Sequence, residues 1–436
     1  MRYSLLAGVI AGCLMYASAF AAVADDGYAL LPDPSAPALS LVEARRLALD
    51  KQPLLEAQSA QVETARQAAV AAGELPDPKL KGGVTDLTIT GADIGTLRRE
   101  SDTQFNVGIS QDFPRAEKRR LRAVQAGAEA DRAERELGRD RLMIEREAGL
   151  AWVAAWAPDR ARAIAIATER EAVLQVEAVE IGYRNGRNSQ AELRAAQVAL
   201  ALIRDEIAKL EQDGAHARSL LSRWIGDAAT RPLPERLPDW PEPPPLPELL
   251  ASLRQHPHIG AAAQEIAVAE ADVALAKQAY KPDFSVELGY GYRPSFADYV
   301  NLQISIDLPI FTARRQDRTL AARLAEVDRA KSLRDNDLRE HSAELRLNYG
   351  DWSLLKGRLA RFDDVILPES RARIDAARLA WASGTGSLTA VLDARRALLE
   401  AELKRLELET DRAKHAIQLR YLGAGDAHAQ IHGDAQ

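Results

Sequence analysis

One spacing occurs twice in this chain. Lys51-Gln52-Pro53-Leu54 and Leu75-Pro76-Asp77-Pro78 bracket an Ala-rich stretch; Gln255-His256-Pro257-His258 and Tyr280-Lys281-Pro282-Asp283 bracket another of equal length. Later landmarks recur in the same order: Gln111-Asp112-Phe113-Pro114 is answered by Ile306-Asp307-Leu308-Pro309, and Tyr183-Arg184-Asn185-Gly186 by Trp381-Ala382-Ser383-Gly384. A duplication constrains the fold more than any short motif, because both copies must build the same unit from different side chains. The expected division is a first repeat over 25–230, a Pro-rich connection over 231–247 that reads as extended, a second repeat over 248–422 and a polar tail over 423–436.

Within each repeat the pattern predicts a helix, two strands, a very long helix, a tip turn and another long helix. The strands are expected as hairpins over about 79–113 and 283–310. Phe284, Val286, Leu288, Tyr290 and Tyr292 alternate with Ser285, Glu287, Gly289 and Gly291. Val300, Leu302, Ile304, Ile306, Leu308 and Ile310 alternate with Asn301, Gln303, Ser305 and Asp307. Phe105, Val107 and Ile109 do the same in the first hairpin, and Leu80 to Ile89 supplies its partner strand. Alternation over such lengths means one apolar and one polar face, the pattern of an outer-membrane barrel.

The helix predicted over 313–366 would run about 80 Å at 1.5 Å per residue, more than a globular core needs. Tips are expected near 184–189 and 382–389. Leu200, Ile203, Ile207, Leu210, Gly214, Ala217, Leu221 and Trp224 form one three-four seam, and Leu399, Leu403, Leu406, Thr410, Ala413 and Ile417 form another, both of coiled-coil type. Composition agrees: 7 Phe, 6 Trp and 10 Tyr among 436 residues are too few for several compact cores, and 28% charge suits long solvated helices. The net charge of −7 with interleaved signs is unlike the basic stripe of a nucleic-acid binder.

The N-terminus reads as a signal peptide over 1–24, with Arg2, an apolar stretch from Leu5 to Phe20, and Ala22-Val23-Ala24 before Asp25-Asp26. Ile10-Ala11-Gly12-Cys13 resembles a lipobox, which makes Cys13 a candidate lipidation site; the apolar residues after it favour ordinary cleavage near Ala24. No later run reaches the ~20 apolar residues of a spanning helix, so a membrane crossing would have to use the strands. Four strands cannot close, and edges open to lipid cost several kcal/mol per unpaired group, so other copies must complete the wall. Eight strands from a dimer would leave an interior filled by side chains; twelve from a trimer leave a lumen, which suits Ser285, Glu287, Asn301, Gln303 and Asp307.

In the order of these landmarks the chain resembles the TolC family of outer-membrane efflux proteins over nearly its whole length. The carriers are the duplication, the Pro-Asp and Asp-Pro junctions, the Asp-Phe-Pro and Asp-Leu-Pro strand exits, and the aromatic-x-x-Gly tips. The resemblance implies a mainly α fold with β: a long coiled-coil α-barrel in the periplasm, and four strands per subunit of a trimeric 12-stranded transmembrane β-barrel in the outer membrane. It implies a homotrimer in outer-membrane lipid, a periplasmic adaptor and an inner-membrane pump, of RND type, with chain ends and the inter-repeat connection at the equator. Leu75 to Leu80, Gly108 to Pro114 and Lys118-Arg119-Arg120 look most like the branch that serves heavy-metal cation exporters.

In that family acidic rings constrict the pore just beyond the second tip. Asp393 falls on the second acidic position, the first is Ala390, and Gly386 stands at the basic one; Glu192 of the first tip takes the place equivalent to Ala390. Asp393 and Glu192, with Arg184, Arg187, Tyr183 and Trp381, are the candidate gate, although both carboxylates also fit a solvated helix surface. Gly186, Asn188, Ser189, Gly384, Thr385, Gly386 and Ser387 are the candidate adaptor-docking tips. No catalytic, cofactor or resident metal site is expected. His256 and His258 have Gln52 and Leu54 as counterparts, His428 and His432 lie in the polar tail, and no phosphate loop or nucleophile motif appears. Efflux of organic compounds and type I protein secretion are alternative cargo assignments. From a different class, an exported coiled-coil scaffold or adhesin explains the seams without explaining the hairpins.

Overall fold

The computed structural model describes residues 36–424 except 51, 93, 97, 98, 100, 101 and 295. The signal segment with Cys13, and His428 and His432 of the tail, lie outside the described residues. The chain divides into two compact units, each drawn from both halves of the sequence. Among the described residues, a strand-bearing unit comprises Pro53–Leu142, Pro244–Arg346 and 422–424; a helical unit comprises 36–52, Met143–Pro243 and Leu347–Tyr421.

In the strand-bearing unit α2 (Pro53–Ala72) precedes β1 (Lys79–Thr85) and β2 (Gln104–Phe113), and α6 (Pro257–Gln278) precedes β3 (Phe284–Tyr292) and β4 (Tyr299–Ile306). The strands form one antiparallel sheet in the order β1-β2-β3-β4, so two hairpins merge side by side. Two strands are shorter than the alternation predicts. β1 stops at Thr85, because Asp86 takes a left-handed φ of 55° and its carbonyl accepts the Thr103 hydroxyl at 2.9 Å. β4 stops at Ile306: after the Asp307 N–H bonds to the Asp283 carbonyl at 3.0 Å, Pro309 has no N–H with which to extend the ladder. Of the Asp residues in the junction and strand-exit motifs, Asp283 ties the second hairpin to the start of the helix after the first, and Asp112 ties β2 to β1. The Asp283 carboxylate accepts the Arg115 N–H at 3.0 Å and pairs with Lys118, and Asp112 pairs with Lys79 at 2.7 Å. Phe113 stacks on Phe284 with ring centroids 5.3 Å apart, where the two hairpins meet.

From β2 runs α3 (Ala116–Arg184), and a turn leads to α4 (Gln190–Ile225). From β4 a single 3₁₀ turn leads to α7 (Gln316–Arg361), a π-turn at Phe362–Ile366, α8 (Leu367–Ala382) and, past a second turn, α9 (Leu388–Leu422). The helix predicted to end at residue 366 therefore continues to Ala382. The π-turn has a local cause: Pro368 cannot donate into the α-helical ladder, and the Leu367 N–H reaches back five residues to the Phe362 carbonyl.

The core of the helical unit gathers Trp152, Trp156, Leu39, Leu221, Leu233 and Ile417 around many alanines. Both indoles have found acceptors: Trp152 donates to the Leu39 carbonyl at 3.0 Å and Trp156 to the Pro234 carbonyl at 2.9 Å. These bonds fix the segment leading into α1 (Leu41–Leu49) and the Pro-rich connection against the helices. The Leu39 N–H to Pro232 carbonyl bond at 2.8 Å joins those two segments to each other, and the Arg231–Glu43 pair at 2.8 Å joins the connection to α1. The short helix α5 (Leu246–Ser252) ends the connection, with Pro245 at its N-cap.

Candidate functional site

The register assigns every residue of the sheet to a face, since antiparallel partners share one. On one face lie Leu80 and Val84 of β1, Phe105, Val107 and Ile109 of β2, Phe284, Val286, Leu288, Tyr290 and Tyr292 of β3, and Val300, Leu302, Ile304 and Ile306 of β4. That face is exposed: Leu80 is 77%, Ile109 56%, Leu288 55% and Leu302 67% accessible. An apolar surface this continuous is not what a monomer leaves in water. The opposite face carries Lys79, Lys81, Asn106, Asp112, Ser285, Glu287, Asn301 and Gln303. Its charges pair across strands, Lys79 with Asp112 and Lys81 with Glu287. β1 and β4 are the outer strands of the order, each paired on one side only among the described residues.

At the first tip, α3 ends at Arg184 and Gly186 reverses the chain with φ 72°, a conformation that costs glycine nothing. The Arg187 N–H then returns to the Gly182 carbonyl at 2.8 Å. Ser189 caps α4 through a full capping box: its hydroxyl accepts the Glu192 N–H at 3.2 Å, and the Glu192 carboxylate accepts the Ser189 N–H at 2.7 Å. That backbone bond is the main cause holding the Glu192 carboxyl below its usual range, helped by the side chains of Ser189 and Asn188. At the second tip Gly384 has φ 75°, the Thr385 and Gly386 N–H groups both reach the Ala380 carbonyl at 2.9 Å, and the Ser387 hydroxyl accepts the Ala390 N–H at 3.2 Å at the start of α9.

The predicted tip residues thus have different surroundings. Trp381 packs with Val176, Leu193 and Leu392 onto buried Val179, Ala196 and Leu388, a small core that ties the two tips together. Tyr183 is 42% exposed, Arg187 is exposed, and Arg184 pairs with Glu180 one turn back at 2.6 Å. Asp393 is exposed on α9 and lines a cleft with Arg194, Arg396 and Glu400. His256 is buried as the N-cap of α6, its Nδ1 accepting the His258 N–H at 3.2 Å. His258 stacks on His341 at 4.7 Å between ring centroids. Two polar residues near the tips, Gln175 and Arg395, are buried, which the sequence reading does not anticipate. The signal for Arg395 was present: Leu388, Leu392, Arg395, Leu399 keeps a three-four spacing, with a cation where the seam calls for an apolar side chain.

A chain with a two-faced four-stranded sheet and long paired helices has the fold of TolC-like outer-membrane channels. The chain is similar to the outer membrane protein VceC from Vibrio cholerae, with 20% identity, a TM-score of 0.74, and coverage of 88% of this chain and 96% of that one. It is also similar to the Campylobacter jejuni CmeC outer membrane channel, with 14% identity, a TM-score of 0.75, and coverage of 91% and 89%. CusC, solved in a study of folding and transmembrane channel formation, matches with 18% identity, a TM-score of 0.74, and coverage of 88% and 92%. A family model described as outer membrane efflux protein matches residues 249–424. No match was found among curated proteins. No helix among the described residues is long and apolar enough to cross a membrane.

Proposed function

We propose that this chain is a member of the outer membrane efflux family and one third of a passive efflux duct, with a twelve-stranded barrel in the outer membrane and a helical tunnel in the periplasm. The observation that carries the reading is the sheet with an exposed apolar face, a charge-paired polar face and two open edges. Lipid matches the first, water in a lumen the second, and neighbouring copies the third. Three copies suit the polar face better than two, because an eight-stranded barrel fills with its own side chains. The two halves, 25–230 and 248–422, are read as repeats of one unit about the connection 231–247.

The tips are the proposed meeting place with a periplasmic adaptor and, through it, an inner-membrane pump of RND type. Gly186, Asn188, Ser189, Gly384, Thr385, Gly386 and Ser387 form the docking turns. Exposed Asp393 is the favoured ring carboxylate of the gate, and Glu192, Arg184, Arg187, Tyr183 and Trp381 complete the proposed gate set. Heavy-metal cations are the proposed cargo, supported by the junction and strand-exit motifs and by an acidic constriction that attracts cations. Deleting the gene tests both levels. Heat-sensitive trimers should disappear from outer-membrane extracts, and tolerance to cobalt, zinc, cadmium, copper or silver should fall. Loss of tolerance to dyes and detergents alone would reassign the cargo to organic compounds; a product found soluble in the parent strain would replace the duct with a scaffold.

A further inference from the structure

Near the tips the helical unit buries polar groups that its own residues leave unpaired. Arg395 of α9 has a side chain 6% exposed, and its Nε and Nη1 have no acceptor among the described residues. Glu171 stands 3.7 Å from Nη2, beyond hydrogen-bond reach, and is itself 59% exposed. Gln175, one turn along α3 from Glu171, is 7% exposed, and its Nε2 also lacks an acceptor. Both side chains line two clefts. One, of about 560 Å³, opens between α3 and α8 and is bordered by Leu174, Asp375, Arg378 and Trp381. The other, of about 800 Å³, opens between α4 and α9.

Buried donors lose hydration, and without an acceptor they gain nothing in return. For a guanidinium the loss is greater, since its charge is desolvated too. Burial accordingly draws the Arg395 pKa down, with Arg378 acting in the same direction and Glu171 against it. Glu171 and Asp375 offset Arg395 and Arg378 in charge without supplying the missing acceptor. We propose that Arg395 and Gln175 form a receptor for an anionic oxygen, of carboxylate or phosphate type, which enters from the α3–α8 cleft and accepts their free N–H groups. The group comes either from a small anion in solution or from an acidic side chain of a second copy of the chain.

The test uses the full-length protein in detergent. Melting midpoints are measured in inorganic phosphate and in chloride at constant ionic strength, for the wild type, Arg395→Met, Gln175→Leu and Arg395→Lys. Dissociation of the oligomer is followed in parallel. A phosphate-specific rise in the wild type, weakened by the Lys variant and abolished by the other two, identifies a solution anion. Indifference to phosphate, with oligomers of the Met and Leu variants dissociating at lower temperature, identifies a neighbour's carboxylate. A phosphate response that survives in both variants overturns the proposal. So does indifference to phosphate with variant oligomers as stable as the wild type or more so, because a buried cation whose donors meet no acceptor costs stability and its apolar replacement is neutral or stabilising.

Discussion

Replacing Leu302 with arginine separates a lipid-facing wall from any water-facing alternative. Leu302 is the fourth of eight residues in β4, paired with Leu288 in the middle of β3, and 67% exposed on the apolar face. In a barrel it sits near the bilayer midplane, where an arginine costs about 2–4 kcal/mol. Three copies bring that to roughly 6–12 kcal/mol per barrel, comparable to the whole stability of an ordinary domain. Leu302→Arg should therefore abolish the heat-sensitive trimer in outer-membrane fractions. Gln303→Arg, one residue on and facing the other way, should leave it intact. Quantitative gels of membrane fractions, with urea unfolding in vesicles for any variant that assembles, give the readout. Equal trimer levels for Leu302→Arg and wild type would refute the assignment of faces, and so would equal damage from both substitutions.

Asp393→Ala with Glu192→Ala should lower cation selectivity in planar bilayers, chiefly through Asp393, because the Glu192 carboxylate is engaged by Ser189; unchanged selectivity would put both off the pore axis. Ser189→Ala should weaken the start of α4 by about 1 kcal/mol, read as faster amide exchange over residues 190–196. The His258 pKa is lowered, mainly by burial, with the His341 charge adding to the effect. The unfolded chain then binds the extra proton more readily, so His258 contributes stability at and above about pH 6.5 that is lost as pH falls through the folded value. His258→Gln should flatten the acid limb of a melting-temperature profile between about pH 7 and 5, and an unchanged limb would exclude this residue as its source. Trp152→Phe removes the donor to the Leu39 carbonyl and should cost about 1–3 kcal/mol, visible as earlier proteolysis before α1.

How far the sequence could be read depended on whether a signal was local. Alternation at Phe284 to Tyr292 and Val300 to Ile306 is a property of adjacent residues, so the strands and their faces were legible, as were the turns at Gly186 and Gly384. The strand ends were less so, because Asp86 stops β1 through a backbone conformation that its residue type permits without demanding. The π-turn depends on how the helix accommodates Pro368, where the sequence offers only a proline and no choice between a break and a bulge. At the tips the candidate gate residues look alike on paper, whereas Glu192 is bound in its capping box and Asp393 is free of that motif. Arg395 could have been noticed as a cation in an apolar seam; the unpaired state of Gln175 depends on contacts from other helices and has no sequence signature.

Cysteine cross-linking between the two edge strands addresses the completed ring most directly. Within one copy β1 and β4 are separated by β2 and β3, three spacings or about 14 Å, too far for a disulfide. With one cysteine in β1 and a series along β4, oxidation of intact cells should yield a covalent ladder that ends at three chains. A ladder ending at two, or no bond between chains at any position of the series, would contradict a barrel built from three copies.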